Sequence, residues 1–171
     1  AAAARDLEAH ARAWVALTSL SANGLGRPED ARRWSRAMDA AVQLLPASPV
    51  LLAAATRARA DALSESGDLV AAIPVLEQAR VLTISAHGPD DAQVAEIDNR
   101  LGTLLRELDR RDEARVVFER ALAVSTRALG EHHPRVAGNL INLANLDTDA
   151  QRYTEARKRM VQALDLRVAT L

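Results

Sequence analysis

The chain has 171 residues and a net charge of −1, from 22 basic and 23 acidic residues, with 49% apolar residues, 2% aromatics and no Cys. That length allows one domain with a real core or a short run of repeats, and the missing Cys excludes disulfides, thiolate zinc sites and Cys nucleophiles. The near-neutral balance argues against a uniformly basic nucleic-acid surface, and 36 Ala with few aromatics favour close helix packing over a β-sandwich.

The chain opens Ala1-Ala2-Ala3-Ala4 without Met, which reads as the cut edge of a longer protein. It shows no signal-peptide pattern, and no apolar run is expected to approach the roughly 20 residues of a membrane span. Trp14 and Leu17 lie on the first expected helix, which turns at Asn23-Gly24-Leu25-Gly26-Arg27-Pro28 into a second carrying Trp34 and Ala37. Pro46 and Pro49 break the chain before a third helix. That helix ends at Ser64-Glu65-Ser66-Gly67-Asp68, with Gly67 suited to a left-handed helix end and Asp68 to an N-cap. Pro74 removes one hydrogen bond early in the fourth helix and should perturb it locally. After Gly88-Pro89, the residues Val94, Ile97, Leu101, Leu104, Leu105 and Leu108 follow the three- and four-residue spacing of a fifth helix. Asp109-Arg110-Arg111-Asp112 is a polar turn. Ala114, Val117, Phe118, Ala121, Leu122 and Val124 then form the stripe of a sixth helix, and Gly130 with Pro134 separates a last helical pair. Strand alternation is absent from the sequence.

One register runs through these elements. Ala37, Ala79, Ala121 and Ala163 are 42 residues apart at each step, and three residues before each stands Trp34, Leu76, Phe118 or Met160. Ala72, Ala114 and Ala156 keep the same phase, where the first repeat has Asp30. Leu17, Leu101 and Leu143 also keep it, with Arg59 breaking the series, and the small residues Thr18, Ala60, Gly102 and Ala144 follow in step. A small residue where helices cross lets their axes approach to the short end of the roughly 8–10 Å range, and a bulky one a turn away fills the space between layers. One pair cannot bury its apolar faces alone, but stacked pairs can. The expectation is an all-α array of four helical pairs, eight helices in all, with repeats over approximately 5–46, 47–88, 89–130 and 131–171.

This pattern resembles the tetratricopeptide repeat. Trp14-x-x-Leu17-Thr18 is similar to the family's helix-opening Trp-x-x-Leu-Gly, and Leu101-Gly102-x-x-Leu105, Ala114-x-x-x-Phe118 and Ala121 are similar to its small-large-small signature. The 42-residue period exceeds the family's usual 34 and resembles the kinesin light chain-like subtype. So does the connection Leu129-Gly130-Glu131-His132-His133-Pro134-Arg135-Val136-Ala137, with Gly88-Pro89-Asp90-Asp91-Ala92-Gln93-Val94-Ala95 one repeat earlier, Asn142-Leu143-Ala144 and Tyr153-x-Glu155-Ala156. The resemblance implies a right-handed superhelix whose first helices line a concave groove for a peptide or another protein. In bacteria such arrays are often attached to Ser/Thr kinases, NTPase regulators or caspase-like proteases.

If the first helix of each pair lines such a groove, the candidates are Arg57 and Asp61 in the second repeat, Glu96, Asn99, Arg100, Thr103 and Arg106 in the third, and Asn142 and Asn145 in the fourth, with Asn139 on the same side. Asn can pair with both N–H and C=O of an extended peptide, and Arg can grip a carboxylate with two parallel bonds. The competing reading is a solvated helix face with ordinary Glu96–Arg100 and Arg57–Asp61 pairs. The family's carboxylate clamp of Lys, Asn and Arg is not matched, since the sole Lys, Lys158, lies on a second helix. His132 and His133 fit a role at a helix start better than a metal site, because His10 and His87 lie elsewhere on the repeat. Arg27, Arg32, Arg33 and Arg36 form the best basic cluster, but without interleaved aromatics they are a weak nucleic-acid signal. Asp109-Arg110-Arg111-Asp112 and Arg157-Lys158-Arg159 read as a turn and a solvated face.

Nucleophile motifs, Walker loops and dinucleotide fingerprints are absent from the sequence, so no catalytic residue, metal or cofactor is expected. The expected function is non-catalytic protein or peptide binding, as a cytoplasmic regulatory or interaction segment of a larger multidomain bacterial signalling protein, for instance one carrying a Ser/Thr kinase. The alternatives are the sensor part of a transcriptional or NTPase regulator, and self-association. Leu164, Leu166 and Val168 would leave an apolar, uncapped end in the last repeat for a second copy. Neither nucleic acid nor membrane is expected as a partner.

Overall fold

A computed structural model describes residues 2–23, 28–43 and 48–168, without the side chains of 2–7, 21–23, 28, 31, 32 and 41. The interior of the turn expected between Asn23 and Pro28, with Arg27, and Pro46 lie outside the described residues, as does the side chain of Arg32. Among the described residues there are eight helices and no strand: α1 (Ala2–Asn23), α2 (Pro28–Gln43), α3 (Pro49–Glu65), α4 (Leu69–His87), α5 (Ala92–Glu107), α6 (Arg111–Leu129), α7 (Pro134–Asp149) and α8 (Tyr153–Val168). They fall into two compact units, Ala1–His87 and Gly88–Leu171.

Local chemistry sets the helix ends. Ser48 Oγ accepts from the backbone N–H of Leu51 at 3.4 Å, Asp91 Oδ1 from Gln93 at 2.7 Å, and His133 Nδ1 from Arg135 at 3.1 Å, which starts α3, α5 and α7. Pro49 and Pro134 stand in the first turn, where the missing N–H has no partner to lose. Asp68 Oδ1 accepts from Ala71 N–H at 3.2 Å at the start of α4, as the sequence implied. His133 thus has a structural task at a helix start.

The turns inside the last three pairs share one geometry. Gly67, Asp109 and Gln151 hold φ of 83°, 61° and 58°. Each is flanked by the same bonds: Asp68 N to Leu63 O at 3.0 Å, Arg110 N to Leu105 O at 2.8 Å, and Arg152 N to Asp147 O at 2.8 Å. These are six-to-one bonds of a left-handed helix cap, which satisfy carbonyls at the helix end.

In the N-terminal unit α1 pairs with α2 and α3 with α4, and both α1 and α2 pack on α3. Ala11 and Leu51 form one buried cluster and Met38, Ala55 and Ala58 another, both covered by Trp14, Val15 and Val42. The Trp14 and Trp34 rings stack at 5.0 Å between centroids, and the Arg33 guanidinium lies 5.0 Å from the Trp34 ring centroid. Leu17, expected in phase with the buried Leu101 and Leu143, is exposed. Leu69–His87 corrects one expectation, because by length and composition α4 could span a membrane. Only Glu77 and Arg80 carry full charge there. The helix packs as a hairpin with α3, burying Ala72, Ile73, Leu76, Ala79 and Thr83, and Pro74 is exposed within it.

In the C-terminal unit α5 pairs with α6, α7 packs on both, and α8 closes on α7. Val94, Ile97, Leu101, Leu104, Leu105, Val117, Phe118, Ala121, Leu140 and Leu143 form its interior. Ala163 of α8 is buried against Ala137 and Leu140, with Leu166 packed beside them, so Leu166 is not part of an exposed end. Helical Thr residues are satisfied locally: Thr18, Thr56, Thr83, Thr126 and Thr148 each donate to the carbonyl four residues back, at 2.8–3.0 Å.

Candidate functional site

Packing α5 beside α7 brings three asparagines of the C-terminal unit into one hydrogen-bonded relay. Asn139 is buried and its Nδ2 donates to Ala121 O at 3.2 Å and to Ser125 Oγ at 2.7 Å. Its Oδ1 accepts from Asn99 Nδ2, and Asn99 Oδ1 accepts from Asn142 Nδ2 at 3.2 Å. An amide offers two donors and one carbonyl acceptor. The relay uses one donor of Asn142, which stands at its outer end, half-buried.

Outside the relay lies a cavity of about 450 Å³, walled by Asn99, Asn139, Asn142, Ser125, Ile141 and Gly138, with Glu96, Arg135 and Arg167 at its charged edge. Arg135 Nη1 is 3.9 Å from a Glu96 carboxylate oxygen. The wall combines fixed amides with exposed charges. Such a surface can hold a backbone segment in register while charged groups select side chains.

The nine expected site residues divide. Glu96, Asn99 and Asn142 meet at this cavity. Asn145 is half-buried further along α7, and Thr103 donates to Asn99 O at 3.0 Å. Arg106 is turned to Asp149 at 3.3 Å, and Arg100 is half-buried and engaged in interactions of its own. Arg57 and Asp61 belong to the N-terminal unit. Both are engaged, and Asp61 is buried rather than solvent-facing, because α3 packs on α1, α2 and α4 and leaves little of its surface open. Asn139, expected on the same open side, is interior and anchors the relay.

Two buried carboxylates were not anticipated. Asp98 is 0% exposed and receives Arg120 with two bonds, at 2.8 and 2.7 Å. Asp147 is 1% exposed and gathers Arg115 at 2.6 Å, Arg152 at 3.4 Å and Arg159. Arg159 therefore leaves the solvated face expected of it, while Arg157 and Lys158 stay exposed. A signal existed in the spacing. Asp98 falls four after Val94 and three before Leu101, and Asp147 falls four after Leu143, so both lie on apolar stripes. Among the described residues no group of His, Asp or Glu could hold a metal ion.

Comparisons place this geometry among known proteins. Residues 93–167 match the tetratricopeptide repeat family model. The solved structure of BtubC (BKLC) from P. vanneervenii is similar over 98% of this chain and 72% of its own, with a TM-score of 0.80 and 24% identity. A putative kinesin light chain with nearly identical TPR-like repeats from Podosopora anserina is similar over 94% of this chain and 76% of its own, with a TM-score of 0.77 and 18% identity. A second crystal structure of that protein, carrying a single substitution, gives the same figures. A search of curated protein sequences found no match.

Proposed function

We propose that this chain, which has the fold of kinesin light chain-like tetratricopeptide repeats, is a non-catalytic scaffold that binds an extended protein segment on the amide face of α5 and α7. The observation that carries this reading is the relay itself. Asn142 and Asn99 are held in place from beneath by buried Asn139, so they meet a ligand backbone with their orientation already fixed. Fixing side chains before binding removes part of the ordering cost that association otherwise incurs. Glu96 and Arg135 at the edge supply selection by charge.

The test uses peptides displayed at random on phage and selected against the chain. Enriched peptides should bind the double variant Asn142→Ala, Arg135→Ala at least about tenfold more weakly in calorimetry, while that variant melts near the parent temperature. Enriched peptides that bind the variant equally well would remove the site from this face. Asn139 is left intact in this test because it belongs to the interior. In the cell we place the chain in the cytoplasm, as the interaction segment of a larger bacterial signalling protein such as one bearing a Ser/Thr kinase.

A second reading is favoured by α8. Met160 is 42% exposed, Leu164 60% and Val168 62%, a stripe at four-residue steps, whereas Phe118, in register with Met160, is buried. A second copy docking there would give a mass that rises with concentration in ultracentrifugation. A constant monomer mass up to high concentration would exclude it.

A further inference from the structure

The N-terminal unit holds a cleft between α2 and α3 whose chemistry differs from the amide face. Its volume is about 420 Å³, and its walls are Ser35 and Arg36 from α2 with Arg59, Ala62 and Leu63 from α3. That size lies in the range of small-ligand and side-chain pockets, roughly 300–1,000 Å³. Two guanidiniums thus face a wall that is otherwise largely apolar.

Arg59 is incompletely satisfied there. Its Nη2 donates to Gln78 Oε1 of α4 at 3.3 Å, a long bond, while its Nε is buried with no hydrogen-bond partner. A buried donor left unpaired is costly, and native structures seldom keep one without a reason. Asp39 stands close enough to feel the Arg59 charge, which offsets only part of the burial that raises its carboxyl. The neighbouring Arg36 is exposed and adds a second positive charge at the mouth.

We propose that this cleft is a carboxylate site, in which an incoming carboxylate is paired by the guanidiniums of Arg59 and Arg36, with its methylene stem laid on Ala62 and Leu63. A planar carboxylate matches the fork of a guanidinium, and charge-assisted bonds of this kind are about twice as strong as neutral ones. The carboxylate can come from an acidic side chain or from the free C-terminus of a peptide. The site shares no residue with the amide face of α5 and α7, so it stands or falls independently of that reading.

The experiment is an NMR titration of the whole 15N-labelled chain. It is read at the Arg59 Nε–Hε signal, assigned by its loss in Arg59→Lys, and at the backbone amide of Leu63. Three probes are added separately: acetyl-Glu-Glu-amide, acetyl-Gly-Gly with a free carboxyl group, and acetyl-Gln-Gln-amide as the neutral control. Saturable movement with the first marks a side-chain carboxylate, and with the second a C-terminal one. Either is expected to weaken at least tenfold in Arg36→Gln, an exposed substitution that leaves the fold intact. The same loss is expected in Arg59→Gln, where the Leu63 amide reports. No saturable shift with either carboxylate, an equal response to the Gln control, or saturation by inorganic phosphate alone would overturn the proposal.

Discussion

Gly102 lies directly against the ring of Phe118: a Cβ built on Gly102 would stand 2.6 Å from Phe118 Cε1 and 2.7 Å from Cδ1. Phe118 is fully buried, so its ring has little room to move aside. Gly102→Ala gains about 1 kcal/mol in helix propensity but overpacks the contact, at a cost of about 1–3 kcal/mol. The expected net result is a loss of stability in urea unfolding. Adding Phe118→Leu should remove much of that loss, so the double variant should be more stable than the sum of the singles. A Gly102→Ala variant as stable as the parent would mean that the ring yields freely.

The same contact shows how much of the fold could be read from the sequence. In register, Gly102 faces Phe118, where the neighbouring repeats carry Ala60 with Leu76 and Ala144 with Met160. The larger partner is matched by the smaller neighbour, so spacing alone revealed helix pairs and their close contacts. The candidate site was less legible. Spacing placed Asn99 and Asn142 on one face, but could not tell Asn139, which turns inward to Ser125, from its neighbours. Apolar periodicity marks a face as buried and treats a polar residue on it as an exception. Only a partner brought in from another helix, such as Arg120 for Asp98, makes that exception stable.

The left-handed turn position was also only partly visible. Gly67 announced it, whereas Asp109 and Gln151, one and two repeats later, carry the same conformation without glycine. Left-handed backbone costs an L-residue roughly 1–2 kcal/mol, and glycine returns part of that saving through its freer unfolded chain. Asp109→Gly and Gln151→Gly should therefore each stabilise the C-terminal unit by about 0.5–1 kcal/mol. Asp109 also loses its pair with Arg111 at 2.7 Å, but both groups are exposed and the loss is small. Thermal melts should rise for both variants, and a fall in either would count against strain at that turn.

Asp39 gives the N-terminal unit a definite pH response. Burial raises its carboxyl above the ordinary value, and the Arg59 charge opposes this only in part. A carboxyl raised on folding favours the folded state while it is protonated in both states. That contribution is lost as pH rises through the folded value. Asp39→Asn should thus increase stability at neutral pH, by less than about 1 kcal/mol given the partial exposure. The advantage should shrink as pH falls below the ordinary Asp range. Denaturant unfolding of both chains at about pH 3 and pH 7, on either side of that range, measures it. An equal difference at the two values would contradict the assignment.

Asp147 holds three guanidiniums that have little reason to converge without it. Arg115 and Arg159 are mostly buried beside it, while Arg152 is half exposed and more distant at 3.4 Å. Removing the carboxylate leaves like charges facing one another in poor solvent. Asp147→Ala should cost about 3–5 kcal/mol, the range for breaking a buried ion pair from one side. Arg152→Ala should cost no more than about 1 kcal/mol, as for an exposed pair, and it relieves repulsion within the cluster. The ordering matters more than either value. If Arg152→Ala proved as damaging as Asp147→Ala, the Arg152 side chain rather than the two more buried guanidiniums would be the main partner of the carboxylate. Asp98→Ala is the comparison case, because Arg120 meets its carboxylate with two good bonds. Its loss should fall in the same range as that of Asp147→Ala, but added sulfate should partly restore only the Asp147 variant, whose remaining charges repel.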